Sequence, residues 1–314
     1  MYQRKRDFYF DNAKVLLILM VLIGHFIEPL LPENTLIKMI YLLIYSFHMP
    51  AFIVISGYFS KNKSGDLLIN LKKIVINLLI PYIVFQLIYS IFNSYFLEGS
   101  GLSINFITPY WIMWFLLSLF FWRVLVLLIN FKDKFYFLYL SFIIAILSGY
   151  IEIIGYPLSI SRTIVFFPFF LMGYFLKKKH FKNLSLFLPF KQKLFVSGIV
   201  YTIEGLFFYY ILKIQAEWFY GSLSYLDLGY PEWYAGGYRL LVISLAIING
   251  MLFFWLIPDN KTFYSYLGRN TIYPYITWFY CQDIFTSGYI FAYKYCIGCG
   301  SFNLHCNIIF NNTE

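Results

Sequence analysis

The hydrophobic and polar positions of this chain form long blocks, not the short alternations of a soluble domain. Ten mainly apolar runs are separated by short polar or charged segments, and most are long enough for a helix to cross a bilayer. The runs lie at residues 13–31, 36–59, 74–97, 109–130, 135–154, 163–176, 194–212, 239–257, 271–286 and 288–310. This pattern predicts an all-α, polytopic bundle of about ten transmembrane helices that forms one domain over residues 1–314.

The first run contains two ionisable residues. Lys14 stands at its start and His25 lies beyond its middle. Eleven residues on a helix make about three turns with a residual rotation of about 20°, so the two side chains share one face, about 16.5 Å apart along the axis. Because ionisable groups are unfavourable inside a bilayer, this pair indicates a function.

The composition agrees with a membrane protein. The chain is 61% hydrophobic and 12% charged, whereas soluble domains have about 25% charged residues. Its net charge of +9 does not indicate nucleic-acid binding, because the cations are distributed by topology. The basic start of the chain is interpreted as the flank of a retained first helix, not as a cleaved signal peptide.

Most of the cations fall in segments that would share one face of the membrane. They are 18 of the 24 lysines and arginines: Arg4, Lys5, Arg6, Lys14, Lys61, Lys63, Lys72, Lys73, Lys132, Lys134, Lys177, Lys178, Lys179, Lys182, Lys191, Lys193, Lys261 and Arg269. The positive-inside rule therefore predicts that the N-terminus is cytoplasmic.

The four cysteines all lie in the last 34 residues, at Cys281, Cys296, Cys299 and Cys306. The last three, together with His305, have a loose zinc-like spacing. We interpret residues 281–314 as an atypical, altered terminus that holds no metal.

Several motifs follow one another in a fixed order over most of residues 5–180. They are Asp11-Asn12-Ala13-Lys14 with Gly24-His25, Phe47-His48-Met49-Pro50 with Ile55-Ser56-Gly57-Tyr58-Phe59-Ser60, Trp114-Phe115-Leu116 with Trp122-Arg123, and Ser161-Arg162-Thr163 with Phe167-Pro168-Phe169-Phe170-Leu171-Met172-Gly173-Tyr174. Together they resemble the acyltransferase family 3 membrane proteins, most closely the fucose 4-O-acetylase and capsule O-acetylase group.

The resemblance implies that an acyl group, usually acetyl, is transferred from coenzyme A to a sugar hydroxyl of the cell envelope. The expected partners are acetyl-CoA, an envelope polysaccharide or lipid-linked sugar, and the bilayer of a bacterial plasma membrane. No permanently bound cofactor is expected. His25 is the candidate general base, because imidazole titrates near neutral pH. His48, ahead of Pro50, and Glu204, at a similar depth to His25, are further catalytic candidates.

The remaining candidates are binding residues. For the anionic donor they are Lys14, Asp11 and Arg123, and for the acceptor they are Arg162, Arg239, Trp233 and Tyr234. Each also has a structural interpretation: a lysine that anchors a helix at the headgroups, an aspartate that pairs with it, arginines that flank a span, and aromatic residues of an interfacial belt.

Two other functions are open at this point. One is a transporter or flippase of lipid-linked sugars, a class that also has ionisable groups near the membrane midplane. The other is a catalytically inactive family member. The segment Leu267–Tyr273 resembles a late family segment that usually continues to a histidine, and Trp278 stands at the matching place here.

Overall fold

The computed structural model describes residues 7–32, 34–61, 65–94, 104–110, 113–129, 131–185, 189–210 and 215–269, and this part of the chain contains helices but no strands. The α-helices are α1 (Phe8–Ile27), α2 (Thr35–Phe59), α3 (Leu67–Ile74), α4 (Ile80–Phe92), α5 (Met113–Leu128), α6 (Lys134–Leu147), α7 (Ile160–Phe175), α8 (Lys178–Ser185), α9 (Phe190–Tyr210), α10 (Glu217–Tyr220) and α11 (Ala235–Leu256). The predicted spans at 271–286 and 288–310, and the tail at 281–314, lie outside the described residues.

Five helical segments in the described ranges are long and apolar enough to cross a membrane. They are Phe8–Leu30, Thr35–Phe59, Leu67–Phe92, Pro157–Phe175 and Ala235–Leu256. Two shorter apolar helices occupy Met113–Leu128 and Lys134–Tyr150. The chain is therefore an all-helical, multi-pass membrane protein, while ten spans and a cytoplasmic N-terminus stay predictions.

The third long segment begins earlier than its apolar run predicts. The apolar run at 74–97 predicts a helix that begins at residue 74, but the helix begins at Leu67. The side chain of Asp66 accepts a hydrogen bond from the Leu68 amide there. The segment widens into a π-turn over Val75–Leu79, just ahead of Pro81. Because proline has no amide hydrogen, it disrupts the regular ladder, and a π-turn can accommodate the break.

Helix α2 is the centre of the bundle and runs antiparallel to α1. The side chain of Asn34 accepts hydrogen bonds from two amides of its first turn. Near that end Tyr45 lies against Gly24, and at the other end Phe59 lies under Lys14. Helix α2 also packs against α7, α9 and α11, so it brings residues from most of the chain together.

The backbones of α2 and α7 touch at two glycines. A Cβ atom on Gly57 would lie 2.1 Å from the carbonyl oxygen of Phe170, and one on Gly173 would lie 1.9 Å from that of Val54. Both distances are far inside van der Waals contact, and a backbone carbonyl cannot rotate away as a side chain could. Small residues are thus required here, as at many helix contacts in membranes.

We expect Gly173→Ala to lower the midpoint of thermal unfolding in detergent, because the added methyl group must force α2 and α7 apart. Overpacking of this kind destabilises by about 1–3 kcal/mol. Gly198→Ala is the matched control, since a Cβ atom on Gly198 would meet nothing within 4 Å. Equal midpoints for the two variants would contradict the close helix contact.

Candidate active site

His25 lies in the last turn of α1, and its ring is held by Glu28. A short 3-10 turn that contains Pro29 follows the helix and carries the Glu28 carboxylate back toward the ring. His25 Nδ1 lies 3.3 Å from Glu28 Oε2. A carboxylate can only accept, so Nδ1 carries the proton and Nε2 of the neutral ring is left as an acceptor. The His25 side chain is 39% exposed, so a substrate can reach it.

His48 is oriented in the same way but is buried. Its Nδ1 donates to the carbonyl oxygen of Ile44 at 2.8 Å, four residues earlier on α2, and the residue is 3% exposed. The neutral ring therefore also has its lone pair on Nε2. The Tyr45 ring lies 4.7 Å from the His48 ring and also against Gly24, the neighbour of His25, so one tyrosine lies beside both histidine-bearing segments.

Three tyrosines, here called the tyrosine cluster, lie beside the histidines. The rings of Tyr41 and Tyr45 stack at 3.9 Å, and the hydroxyl groups of Tyr41 and Tyr220 are 2.7 Å apart. Gly24 allows this approach, because a Cβ atom there would lie 2.8 Å from the Tyr45 ring. The cluster therefore joins α2, α10 and the end of α1 at one place.

Arg162 extends from the first turn of α7 toward aromatic rings. Its guanidinium carbon lies 5.1 Å from the ring centroid of Trp114 and 5.3 Å from that of Tyr156. The next residue, Thr163, fixes this turn against α5, because its carbonyl oxygen accepts from Trp122 Nε1 at 2.8 Å. The packing of α7 against α5 therefore fixes the position of the Arg162 backbone.

The first turn of α7 is tied to the tyrosine cluster by a hydrogen bond. Ser161 Oγ, next to Arg162, donates to the carbonyl oxygen of Gly221, next to Tyr220, at 2.8 Å. A histidine with a free Nε2, a carboxylate that orients it and a guanidinium thus surround one aromatic cluster. We call these residues, together with His48, the His25 site.

The predicted donor residues gather at the other end of α2. Lys14 Nζ lies 4.6 Å from the ring centroid of Phe59, and Arg123 Nε donates to Ser60 Oγ at 2.9 Å. Asp11 is close enough to interact electrostatically with Lys14. The structure therefore places Lys14 and Arg123, two of the residues predicted to bind the acyl donor, beside Phe59 and Ser60 at the end of α2, and Asp11 lies near Lys14.

More cations lie at the same end. Lys61 Nζ donates to the carbonyl oxygen of Leu176. Burial, together with the ammonium groups of Lys134 and Lys177, lowers the pKa of Lys61. This end of the bundle is thus strongly positive.

Glu204 is placed in a different polar group from the histidines. Its Oε1 accepts from Asn249 Nδ2 at 2.7 Å, and the same amide nitrogen donates to Ser46 Oγ at 2.9 Å. Within the described ranges Glu204 makes no hydrogen bond to either His25 or His48. The catalytic role of Glu204 therefore stays a prediction.

Arg239 is fully enclosed at 1% exposed. It donates to the carbonyl oxygens of Trp218 and Leu223 at 3.2 and 3.4 Å, and its guanidinium lies 5.6 Å from the rings of Trp218 and Tyr225. These contacts attach residues 215–234, here called the long loop, to α11. They give Arg239 a structural role, and the predicted substrate contact stays a prediction.

The loop aromatics divide into two groups. Trp218 and Tyr225 are buried in a small core, whereas Trp233 is 86% and Tyr234 is 47% exposed. Of these four residues, Trp233 and Tyr234 are exposed enough to stack on a sugar. Their contact with the acceptor stays a prediction.

Sequence reasoning missed Glu28 and the tyrosine cluster. Glu28 follows His25 by three residues, a spacing that places two side chains on one helix face, and it could have been found from that spacing. Tyr41 and Tyr45 share a face of α2 for the same reason. Tyr220 had no such signal, because only the tertiary fold brings it to α2.

Comparisons with known proteins agree with this arrangement. The acyltransferase domain family, Acyl_transf_3, matches residues 7–301, so the chain belongs to this family. Nodulation protein NolL of Sinorhizobium fredii is 29% identical over 185 residues, which are 54% of this chain and 48% of that protein. Nodulation protein NolL of Mesorhizobium japonicum is 45% identical over 58 residues, 18% of this chain and 16% of that protein. The chain thus aligns with about half or less of these relatives, and no solved structure matches it.

Proposed function

We propose that this chain is an integral membrane O-acyltransferase that moves an acetyl group from coenzyme A to a sugar hydroxyl of an envelope polysaccharide. The observation that carries the proposal is the His25–Glu28 pair, whose free Nε2 is accessible and lies in a bundle of the acyltransferase family. The bacterial plasma membrane is the proposed location. The fucose 4-O-acetylase and capsule O-acetylase group is the proposed subfamily.

The chemistry needs a base at the hydroxyl group. His25 Nε2 takes the hydroxyl proton as the sugar oxygen attacks the thioester carbonyl, and the C–S bond then breaks. The proton returns from the imidazolium to the departing thiolate, so atoms and charges balance. Glu28 holds the ring in the tautomer that can accept, and its charge favours the imidazolium that forms.

The donor would bind along α1, with its phosphates at the Lys14 end. Lys14 and Arg123 supply positive charge there, and Asp11 positions Lys14. The pantetheine arm of coenzyme A is long and thin, so it suits the distance of about 16.5 Å along the helix between Lys14 and His25. A cytoplasmic N-terminus would give this end direct access to coenzyme A.

We expect Lys14→Ala to raise KM for acetyl-CoA about tenfold with little change in kcat, because one charge-assisted contact to phosphate is worth about 1.4 kcal/mol. Lys38→Ala is the matched control, since Lys38 is exposed near the start of α2. Steady-state kinetics on membranes measure both. An unchanged KM in Lys14→Ala would leave Lys14 as a membrane anchor only.

Mass spectrometry of envelope polysaccharide, with and without the gene, tests the proposed function. Loss of an acetyl mass from an otherwise intact polymer is the expected result. Loss of the whole polymer would favour a transporter or flippase, and an unchanged polymer would favour an inactive family member.

A further inference from the structure

Arg162 and Arg239 form an informative contrast. Both guanidinium groups lie among aromatic rings, Arg162 between Trp114 and Tyr156, and Arg239 between Trp218 and Tyr225. Ring faces attract a cation but do not satisfy its N–H groups, because a hydrogen bond needs an acceptor. Each arginine therefore lies in an aromatic cage of its own, and the two can be compared by the hydrogen-bond acceptors around them.

The acceptors differ. Arg239 donates to two backbone carbonyl oxygens, so its role is to fix the long loop. Among the residues that the structure describes, Arg162 has neither a hydrogen-bond acceptor nor a carboxylate within ion-pair distance. The Glu28 carboxylate is bonded to His25. The five N–H donors of Arg162 are thus available to a ligand.

The residues around Arg162 favour a ligand in which an anionic group is attached to a sugar. A partly buried cation without a counter-charge is unfavourable, and the planar fork of arginine matches the oxygens of a carboxylate or phosphate. The nearby tyrosines and Trp114 offer ring faces and hydroxyl groups that suit a sugar. A neutral sugar would leave the guanidinium charge unbalanced.

We propose that Arg162 binds an oxyanion, a carboxylate or a phosphate, that the acceptor itself carries, so that the substrate is an acidic or phosphorylated glycan. This inference rests on the proposed acyl transfer, because it names the substrate class of the His25 site. It also assigns the direction of the acceptor: its anionic group lies at Trp114 and Tyr156, and its reacting hydroxyl group points toward His25.

The test uses the host envelope polysaccharide in three forms: native, with its carboxyl groups reduced to alcohols, and dephosphorylated. Equilibrium binding to the detergent-solubilised protein is measured first, and transfer from acetyl-CoA second. For the unchanged protein, one of the two treatments is expected to weaken binding at least about tenfold, the size of one charge-assisted contact. Arg162→Gln should bind all three forms with the same weak affinity.

Two further variants keep the test decisive. Arg162→Lys retains the charge but loses the fork, so it should discriminate less than arginine and more than glutamine. Lys38→Gln removes a cation near the start of α2 and should leave discrimination unchanged. Each variant is accepted only if its thermal unfolding midpoint matches that of the unchanged protein.

Equal binding of all three forms by the unchanged protein would overturn the proposal. An equal loss of kcat on all three forms in Arg162→Gln, with binding unaffected, would also overturn it and assign Arg162 to the reacting carbonyl. The same binding measurement is repeated after reconstitution in vesicles. Discrimination that is kept in phosphatidylcholine vesicles but lost in phosphatidylglycerol vesicles would assign the cage to an anionic lipid headgroup, against the proposal. Discriminating binding without acetyl transfer would support the Arg162 site while refuting the acyltransferase function.

Discussion

Replacing His25 by alanine is expected to reduce acetyl transfer to a small residual rate while the protein remains inserted in the membrane. The side chain lies in the last turn of α1, and its Nε2 is the free acceptor of the His25–Glu28 pair. Loss of a general base lowers the rate by about 10²–10⁴-fold. The change should appear in kcat, because alanine removes the proton acceptor and leaves the cations at the Lys14 end unchanged.

His180→Ala is the matched control for this prediction. His180 accepts a hydrogen bond from the Lys177 amide at 3.0 Å, near the end of α2 that is remote from His25. Transfer by this variant should stay near that of the unchanged protein. Near-normal transfer by His25→Ala, at equal amounts of inserted protein, would exclude His25 as the base.

Replacing Glu28 by alanine is expected to lower kcat about 10–100-fold, the usual size of the effect when a partner that orients a functional histidine is lost. The KM for acetyl-CoA should not change, because the donor phosphates are proposed to bind at the other end of α1. Glu28→Gln keeps a hydrogen-bond acceptor but loses the charge, so its kcat should lie between that of the unchanged protein and that of Glu28→Ala.

A double-variant experiment separates orientation of His25 from a general structural effect. If Glu28 acts through the imidazole, Glu28→Ala should have no further effect on residual transfer when His25 is already alanine, because coupled residues are not additive. Glu152→Ala is the control for removal of an exposed carboxylate. A full additional loss in the His25→Ala background would show that Glu28 acts independently of His25.

The bundle was largely predictable because each membrane helix corresponds to a long apolar run in the sequence. Helix ends were less predictable where local chemistry extends a helix, as at Asp66, where a side-chain cap starts the third long segment ahead of its apolar run. The same limit applies to Pro81, whose effect on hydrogen bonding takes the form of a π-turn.

The site was predictable where its residues share one helix. The histidine of α1 and its lysine were found from their spacing, and Glu28 could have been. Contacts between distant segments were not predictable, so Tyr220 was missed and the hydrogen bond from Asn249 to Glu204 was not foreseen.

The burial of individual side chains was a second property that could not be predicted from the sequence. Arg239 and Arg162 look alike in sequence, since both stand near the start of an apolar run. Their difference lies in the acceptors around them, because two backbone carbonyl oxygens accept hydrogen bonds from Arg239 and attach it to the long loop. The sequence alone cannot distinguish an enclosed arginine from one that is open to a ligand.

The most direct test of the account follows an isotope-labelled acetyl group from coenzyme A. Membrane vesicles that carry the unchanged protein or His25→Ala are supplied with labelled acetyl-CoA, and alkali-labile label on the polysaccharide is measured. We expect a labelled ester with the unchanged protein and at most about one hundredth of that label with His25→Ala. Equal label with both proteins, or an unlabelled polysaccharide with the unchanged protein, would contradict it.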